Sequence, residues 1–269
     1  MKRSGIITLL TDFGIVDPYL AMMKGVILSI NRDARIVDIS HHIRTGSILH
    51  ASNLIREAFP FFPEGTVHVA VVDPGVGSDR RLIGLEAGGH LFVGPDNGIF
   101  GPVIAAYKGS KIIHLTESKY FLPHVTQTFH GRDVFAPVAA YLSLGNDLEQ
   151  MGPIINDPIK LSYPVPQIRD DILHGQVMRV DNFGNLITNI SNYNLKSFLE
   201  NSNPIISIGG MEIKKLDNIY SDVDEGEPLA LINSSNLLEI AVNLGRASEY
   251  IGVESDDIIG EVVRIGRYE

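Results

Sequence analysis

The sequence of 269 residues contains neither cysteine nor tryptophan. Without cysteine the chain forms no disulfide and offers no thiolate to a metal ion, and a cytoplasmic location suits this composition. Lysine and arginine together number 22 against 32 acidic residues, and no run of basic residues occurs. The formal net charge of −10 therefore argues against binding nucleic acid through its phosphates.

Long apolar runs are missing as well. No stretch approaches the roughly 18 residues that a membrane-spanning helix needs, so we expect no membrane insertion. The opening segment MKRSGIITLLTDFG meets an acidic residue and a glycine too early for the apolar core of a signal peptide.

What the sequence does have is a change of pattern along its length. From residue 5 to about 155, apolar runs typical of buried strands alternate with segments of helical spacing, such as Leu20, Met23, Ile27 and Ile30. This alternation predicts an α/β domain with a mainly parallel central sheet covered on both faces. Three prolines and several charges in residues 156–171 are typical of a linker.

Beyond this segment, short apolar runs follow one another with turn residues between them. Spacing of about 8–12 residues predicts an all-β, barrel-like C-terminal domain. We therefore predict two domains, 1–165 and 166–269, with the boundary near residue 165.

Three acidic residues follow strand-like runs in the first domain: Asp12 after LLT, Asp73 after VAVV, and Asp96 after FVGP. In open α/β sheets, ligands bind beyond the carboxyl ends of the strands, so the three together indicate a site. Taken singly, each is typical of a turn, above all Asp96 in the sequence PDNG.

A fourth polar cluster, TFHGRD, places His130, Arg132 and Asp133 at the start of the last predicted helix of this domain. Asp133 stands where an N-cap belongs, and capping is the role that we expect for it. His130 is either a surface histidine or part of the site.

In the second domain, the segment RVDNFGNLITNI holds Asp181, Phe183 and Asn185 around a predicted hairpin turn. An aromatic face beside an amide edge is what a purine ring needs. Farther on, Ser234 lies in a polar turn. Glu239 interrupts an apolar strand, either as a buried, paired acid or as its outward residue.

Several motifs are absent from the sequence: the P-loop, the dinucleotide fingerprint, H-E-x-x-H and G-x-S-x-G. His41 and His42 are adjacent, but no suitably spaced ligand completes a metal site around them. Neighbouring side chains in an extended segment point to opposite faces.

Taken in order, LLTDFG, VVDPGVGSDRR, GPDNG, TFHGRDVFAPVAA and VDNFGNLITNI resemble the S-adenosyl-L-methionine (SAM) hydroxide adenosyltransferases, or SAM hydrolases, relatives of the fluorinases and chlorinases. The resemblance covers nearly the whole chain. It implies hydrolysis of SAM to adenosine and L-methionine, with SAM as substrate and no cofactor or metal. It also implies a homotrimer whose sites lie between subunits.

The resemblance further implies roles for individual residues. The catalytic residues that handle the attacking water are Asp73, Arg80 and His130, with Arg81 as the neighbouring alternative to Arg80. His130 can titrate near neutrality and is the first candidate for the proton acceptor, with Asp73 and a chain of waters as the open alternatives. The substrate-binding residues are Asp12 for the ribose, Asp181 and Ser234 for the methionine head group, Phe183, Asn185, Val242 and Asn243 for the adenine, and Glu239.

Three alternatives stay open. The first is a halogenase-like adenosyltransferase, although Asp73 and Val76 stand where those relatives carry hydroxyl side chains, and a carboxylate repels halide. The second is a metal-dependent phosphohydrolase. Its ligands would be Asp12, Asp73, Asp96, His130 and Asp133. The third is a SAM-binding sensor without turnover.

Overall fold

The computed structural model describes residues 2–252 and 258–268. The chain divides into two compact units, Met1–Ser162 and Tyr163–Glu269. None of the helices within the described residues is both long and apolar enough to cross a membrane.

Within its described residues, from position 2 onwards, the first unit contains a six-stranded sheet and four α-helices. Its strands are β1 (Ile6–Thr11), β2 (Arg35–Ser40), β3 (Val67–Val71), β4 (Leu82–Ala87), β5 (His90–Pro95) and β6 (Lys111–His114). Its helices are α1 (Tyr19–Ile30), α2 (Ile48–Ala58), α3 (Gly101–Ala106) and α4 (Ala136–Ser143).

Helices cover both faces of this sheet, as the alternating pattern predicts. In β3, Val67, Val69 and Val71 pack in one buried cluster with residues of α1 and α4. Ala70, which points the other way, packs in a second cluster with residues of α2 and α3. Burial on both sides explains why the central strands are nearly continuous apolar runs.

The strand order is β2-β1-β3-β5-β4-β6. Strands β1, β2, β3 and β5 run parallel, whereas β4 is antiparallel to both β5 and β6. The reversal occurs at Gly88 and Gly89, whose φ angles of 57° and 79° suit a tight hairpin. The predicted, mainly parallel sheet is confirmed and is mixed at this edge.

The second unit is an antiparallel sheet with the order β11-β10-β14-β8-β9-β13-β12, and β7 pairs with β8. Its strands are β7 (Gln167–Arg169), β8 (Ile172–Val180), β9 (Leu186–Ser191), β10 (Asn203–Ile208), β11 (Met211–Ile213), β12 (Pro228–Ile232), β13 (Leu237–Val242) and β14 (Val262–Tyr268). The edge strands β11 and β12 contact each other, so the sheet curls towards closure. The predicted all-β, barrel-like architecture is confirmed.

Three features of the second unit, including the segment that leads into it, differ from the sequence prediction. Strand β7 lies inside the predicted linker. Helix α5 (Asn192–Leu199) interrupts the series of strands, and a capping box between Ser191 and Asn194 starts it. A short helix, α6 (Ala247–Tyr250), follows β13.

Candidate active site

Asp73, which follows β3, forms a bidentate ion pair with Arg80, which lies just before β4. The Arg80 Nε donates to Asp73 Oδ1 at 2.6 Å, and Arg80 Nη2 donates to Asp73 Oδ2. Both side chains are nearly buried. The parallel fork of two N–H donors on two carboxylate oxygens fixes the orientation of both groups.

His130 joins this pair through Arg80. The Arg80 Nη2 lies 2.9 Å from His130 Nδ1. Because a guanidinium only donates, Nδ1 must be the acceptor, and the proton of the neutral ring must be on Nε2. Burial first, and then the charge of Arg80, lower the pKa of His130 below its ordinary value of 6.5, so the ring is neutral at pH 7.

This tautomer favours Asp73 or a chain of waters over His130 as the proton acceptor. The one ring nitrogen with a lone pair already binds Arg80. A second proton on the ring would place a cation beside a guanidinium in a buried site, which is unfavourable. His130 is instead a hydrogen-bond donor through Nε2.

A π-helical turn, Gly131–Phe135, holds His130 at the entrance to α4. The prediction that Asp133 caps the helix is wrong. Asp133 lies inside the turn, is 0% exposed, and accepts hydrogen bonds from the backbone N and Oγ1 of Thr126. It also pairs with Arg132. Asp133 therefore fastens the preceding loop to the turn that carries His130.

Arg80, and not Arg81, faces Asp73 and His130. Arg81 binds Asp96 and Asp157 instead, each at 2.8 Å. The sequence left the choice between the two arginines open, and the geometry separates them.

The residues of the PDNG turn are structural. Asp96 also accepts a hydrogen bond from the backbone N of Ile159, and Asn97 donates to the carbonyl of Val72.

Asp73 and His130 line a cavity of about 210 Å³ together with Asp12. The other lining residues are Phe13, Thr45, Gly46, Val71, Pro74, Val76, Thr128, Phe129 and Gly131. The backbone N of Gly46 donates to Asp12 Oδ2 at 2.8 Å, whereas none of the described residues donates to Oδ1. The Oδ1 of Asp12 is therefore available to bind a ligand.

Three of the four carboxylates that the metal-dependent alternative would need are each bonded to an arginine: Asp73 to Arg80, Asp96 to Arg81 and Asp133 to Arg132. Within residues 2–252 and 258–268, no group of three or more histidine, aspartate or glutamate side chains is arranged to hold a metal ion.

The second unit has a larger cleft of about 570 Å³. It is lined by Asn182, Phe183, Asn185, Tyr220, Val242, Asn243, Leu244, Gly245 and Arg246. Phe183 is 73% exposed. An apolar ring held out at the rim of a cleft with amide side chains suits a planar heterocycle.

The hairpin turn that carries Phe183 is built by Asp181. Its Oδ1 accepts from the backbone N of Phe183 and of Asn185, both at 2.9 Å, and its Oδ2 accepts from Asn185 Nδ2 at 3.2 Å. The predicted hairpin is confirmed. Asp181 and Asn185 position the turn, and their binding roles stay predictions.

Of the two interpretations of Glu239, the structure supports the buried, paired acid, because the residue is only 3% exposed. It does not line the cleft, and its Oε1 accepts from the hydroxyl of Tyr220 at 2.7 Å. Burial and this bond raise the pKa of Tyr220. Glu239 is therefore placed to hold Tyr220, which corrects its assignment as a direct substrate ligand.

Ser234 lies apart from the cleft, exposed in the turn before β13, while Val242 and Asn243 lie at the other end of that strand. The backbone N of Asn243 donates to the carbonyl of Glu227, and its carbonyl accepts from the N of Gly226. Val242 and Asn243 line the cleft, and their roles at the adenine stay predictions.

Asn182, Tyr220 and residues 244–246 line the cleft but were not among the residues predicted from the sequence. Tyr220 lies in LDNIYSD, a polar turn with one aromatic residue, which is the same composition as the turn around Phe183. The shared composition is the signal that would have singled it out.

Comparison with known proteins places this geometry in a family. The model of the SAM hydroxide adenosyltransferase N-terminal domain matches residues 7–152, and that of the C-terminal domain matches residues 175–260. The chain belongs to the SAM hydroxide adenosyltransferase family, which confirms the resemblance.

Individual relatives support this family membership. The chain is 36% identical to the (R)-S-adenosyl-L-methionine hydrolase of Salinispora tropica, over 93% of this chain and 95% of that protein. A fluorinase from Actinopolyspora mzabensis is more distant, at 25% identity over 88% and 90% of the two chains. The crystal structure of an uncharacterized conserved protein from Thermotoga maritima is similar with a TM-score of 0.89, at 35% identity and with coverage of 97% and 100%.

Proposed function

We propose that this chain hydrolyses SAM to adenosine and L-methionine by in-line attack of water at C5′ of the ribose. The observation that carries the proposal is the linked group of Asp73, Arg80 and His130, two of which line one cavity. Family membership and the hydrolase name of the 36% identical relative support it.

The chemistry explains why such a group is needed. The sulfonium of SAM is already a good leaving group, so no acid has to protonate it. Water is the difficult partner, because making free hydroxide at pH 7 costs about 12 kcal/mol. A protein lowers this barrier by holding one water in line with the carbon and accepting its proton as the bond forms.

Each of the three residues has a part in this proposal. His130 Nε2–H donates to the water oxygen, and Asp73 accepts a hydrogen bond from the water. As oxygen bonds to C5′, the C5′–S bond breaks and its electron pair stays on sulfur as the thioether of methionine. The water proton passes to Asp73. A carboxylate is a weak base, but it suffices here because the water oxygen becomes strongly acidic as it bonds to carbon. Arg80 stays charged throughout and holds Asp73 and His130 in place.

Other residues would bind the rest of the substrate. Asp12 Oδ1 is free to accept from a ribose hydroxyl. Phe183, with Tyr220 beside the same cleft, offers a ring face to adenine. Asp181 and Ser234 keep their proposed roles at the methionine head group. No cofactor takes part, because SAM supplies its own leaving group.

The deciding experiment mixes purified protein with SAM and follows methionine and adenosine by mass spectrometry. We expect Asp73→Asn to lower kcat by at least about a hundredfold, because an amide cannot take the proton. Its affinity for adenosine should stay within about threefold. Asp79→Asn, an exposed neighbour in the same loop, is the control and should match the wild type. Full turnover in Asp73→Asn would remove the catalytic assignment.

Two additions to that assay separate the alternatives. With fluoride or chloride present, we expect adenosine and no 5′-halo-adenosine, because the Asp73 carboxylate repels an anion. With EDTA present, the rate should not change. Halogenated product would favour the halogenase alternative, and loss of activity on chelation would favour the metal-dependent one.

A homotrimer with each site completed between neighbouring subunits is also part of the proposal, as the family resemblance implies. Coexpression of Asp73→Asn with Phe183→Ala tests it at SAM concentrations below KM. If two subunits share each site, mixed trimers contain some intact sites and recover activity that neither variant has alone. The absence of recovery in verified mixed assemblies would contradict shared sites. A cytoplasmic location stays a prediction from the lack of cysteine.

A further inference from the structure

His41 is a buried histidine that the proposed reaction does not use. It is 5% exposed, whereas its neighbour His42 is exposed. The paired histidines form no metal site among the described residues. A buried imidazole needs partners for both ring nitrogens, so the contacts of His41 indicate its role.

A polar chain runs through this ring from the surface to the end of β1. Lys24 Nζ lies 2.6 Å from Asp38 Oδ2, and His41 Nε2 lies 3.1 Å from Asp38 Oδ1. On the other side, His41 Nδ1 lies 2.9 Å from Thr11 Oγ1. The approach of Nε2 to Asp38 lies within ion-pair distance, but Nε2 has no aligned hydrogen-bond partner among the described residues. The hydrogen bond between Nδ1 and Thr11 Oγ1 is therefore the contact that fixes the ring.

Thr11 directly precedes Asp12, and the chain of contacts continues into the loop after it. The backbone N of Phe13 donates to Thr11 Oγ1 at 3.3 Å. The backbone N of Gly14 donates to the carbonyl of His41 at 2.8 Å. The chain on both sides of Asp12 is therefore held by His41. Thr11, before Asp12, bonds to the His41 ring, and Gly14, after it, bonds to the His41 backbone carbonyl.

We propose that His41 is a positioning residue that acts through the Thr11 hydroxyl to aim Asp12 at the ribose hydroxyls of the bound nucleoside. The inference rests on the proposed function, because it takes Asp12 as the ribose ligand. A carboxylate must reach a hydroxyl within a few tenths of an ångström to form a good hydrogen bond. His41 sets this reach without touching the substrate.

The affinities for adenosine and 2′,3′-dideoxyadenosine together distinguish the positioning of Asp12 from a merely structural role of His41. The two nucleosides share the adenine and differ in the hydroxyls that Asp12 would bind. A loosened Asp12 weakens the binding of adenosine alone. General damage to the fold weakens the binding of both.

The experiment measures both dissociation constants by calorimetry for the full chain and four variants. We expect His41→Asn and Thr11→Val to weaken adenosine about tenfold, as expected for a lost hydrogen bond to a charged group. Thr11→Ser keeps the hydroxyl and should bind like the wild type, and so should His42→Asn. The affinity for dideoxyadenosine should be the same in all five proteins. With SAM, the two weakened variants should raise KM about tenfold and change kcat by less than about threefold.

Thr11→Val preserves the shape of a fully buried side chain, so it carries the test if His41→Asn does not fold. Unchanged adenosine affinity in the folded variants, or equal weakening for both nucleosides, overturns the role of His41 and leaves the proposed function standing. A wild-type protein that binds both nucleosides equally overturns the ribose role of Asp12 and the inference with it. Absence of SAM turnover in a protein that does distinguish them counts against the proposed reaction alone.

Discussion

Arg80 and Arg81 are adjacent in the chain, yet their side chains have different partners. Arg80 forms a fork with Asp73, packs with its guanidinium carbon 5.9 Å from the centre of the Phe135 ring, and reaches His130. Arg81 fastens the segment around Asp157. One position thus serves the site and the next serves the fold.

This division predicts opposite results for two conservative variants. Arg80→Lys should lower kcat by about a hundredfold, because an ammonium group cannot hold a carboxylate and an imidazole in one planar fork. Arg81→Lys should leave kcat within about twofold and lower the melting temperature by about 2–4 °C. Steady-state kinetics and thermal unfolding measure both effects. The reverse pattern would show that Arg81 is the functional arginine.

His130 shows how much of the site the residues alone could predict. The residues alone indicated a site at Asp12, Asp73 and His130, the family resemblance added Arg80, and the structure brings Asp73, Arg80 and His130 into hydrogen-bond contact. The direction of the Arg80–His130 bond was not predictable, because it depends on which ring nitrogen meets the guanidinium. Spacing along the chain carries no information about that orientation.

Among the elements, the π-helical turn Gly131–Phe135 depends on a contact outside itself. Thr126 supplies both a backbone N and a hydroxyl to the buried carboxylate of Asp133, at 2.8 and 2.6 Å. Burial raises the pKa of Asp133, but its bonds to Arg132 and Thr126 together outweigh this effect and lower the pKa below its ordinary value. The carboxylate therefore stays ionised and needs these donors.

Removing one donor should destabilise the turn. Thr126→Val deletes the hydroxyl and should reduce the free energy of unfolding by about 1–2 kcal/mol. It should also lower kcat, because His130 lies directly before this turn. Thr126→Ser keeps the hydroxyl and serves as the control in urea unfolding. Equal stability of the valine and serine variants would show that the hydroxyl contributes nothing.

Element types were predictable where the pattern was long and regular. Helix α5 was missed because its eight residues, Asn192–Leu199, lie within a series of short strands and only the cap at Ser191 marks them. The reversed direction of β4 was missed because burial pattern does not record strand direction. Glu239 was assigned to the substrate because its partner, Tyr220, lies 19 residues away and meets it only in the fold.

For the whole molecule, buried neutral histidines make stability depend on pH. Burial, and then the neighbouring His90, lower the pKa of His68 to about 3. Burial also lowers the pKa of His90. Both rings lie under Phe59, away from the candidate site, and are linked by a bond of 3.1 Å between His68 Nε2 and His90 Nδ1.

The unfolded chain takes up a proton on His68 below about pH 6.5, whereas the folded chain does so only near pH 3, and the lowered pKa of His90 acts in the same direction. Their contribution is therefore complete above pH 6.5 and is lost as the pH falls. For His68 the loss approaches about 1.4 kcal/mol per pH unit. Urea unfolding between pH 6.5 and 5 measures this slope. Asp38 and Asp133, with pKa values below 3.8, stay ionised in that range.

His68→Gln is the matched variant for this slope, since it keeps a hydrogen-bonding side chain beside Thr8 and cannot titrate. It should be less stable at pH 7 and lose less stability between pH 6.5 and 5. A slope equal to that of the wild type would mean that His68 is already protonated in the folded chain.

The exposed ring at the rim of the second-unit cleft has an optical consequence. Phe183 lines the cleft, and the sequence contains no tryptophan. A Phe183→Trp protein would therefore hold a single indole, placed where a purine would stack on it. Its emission would report occupancy of the cleft directly, without turnover and without any competing fluorophore of its kind, so binding and release could be timed separately from bond breaking.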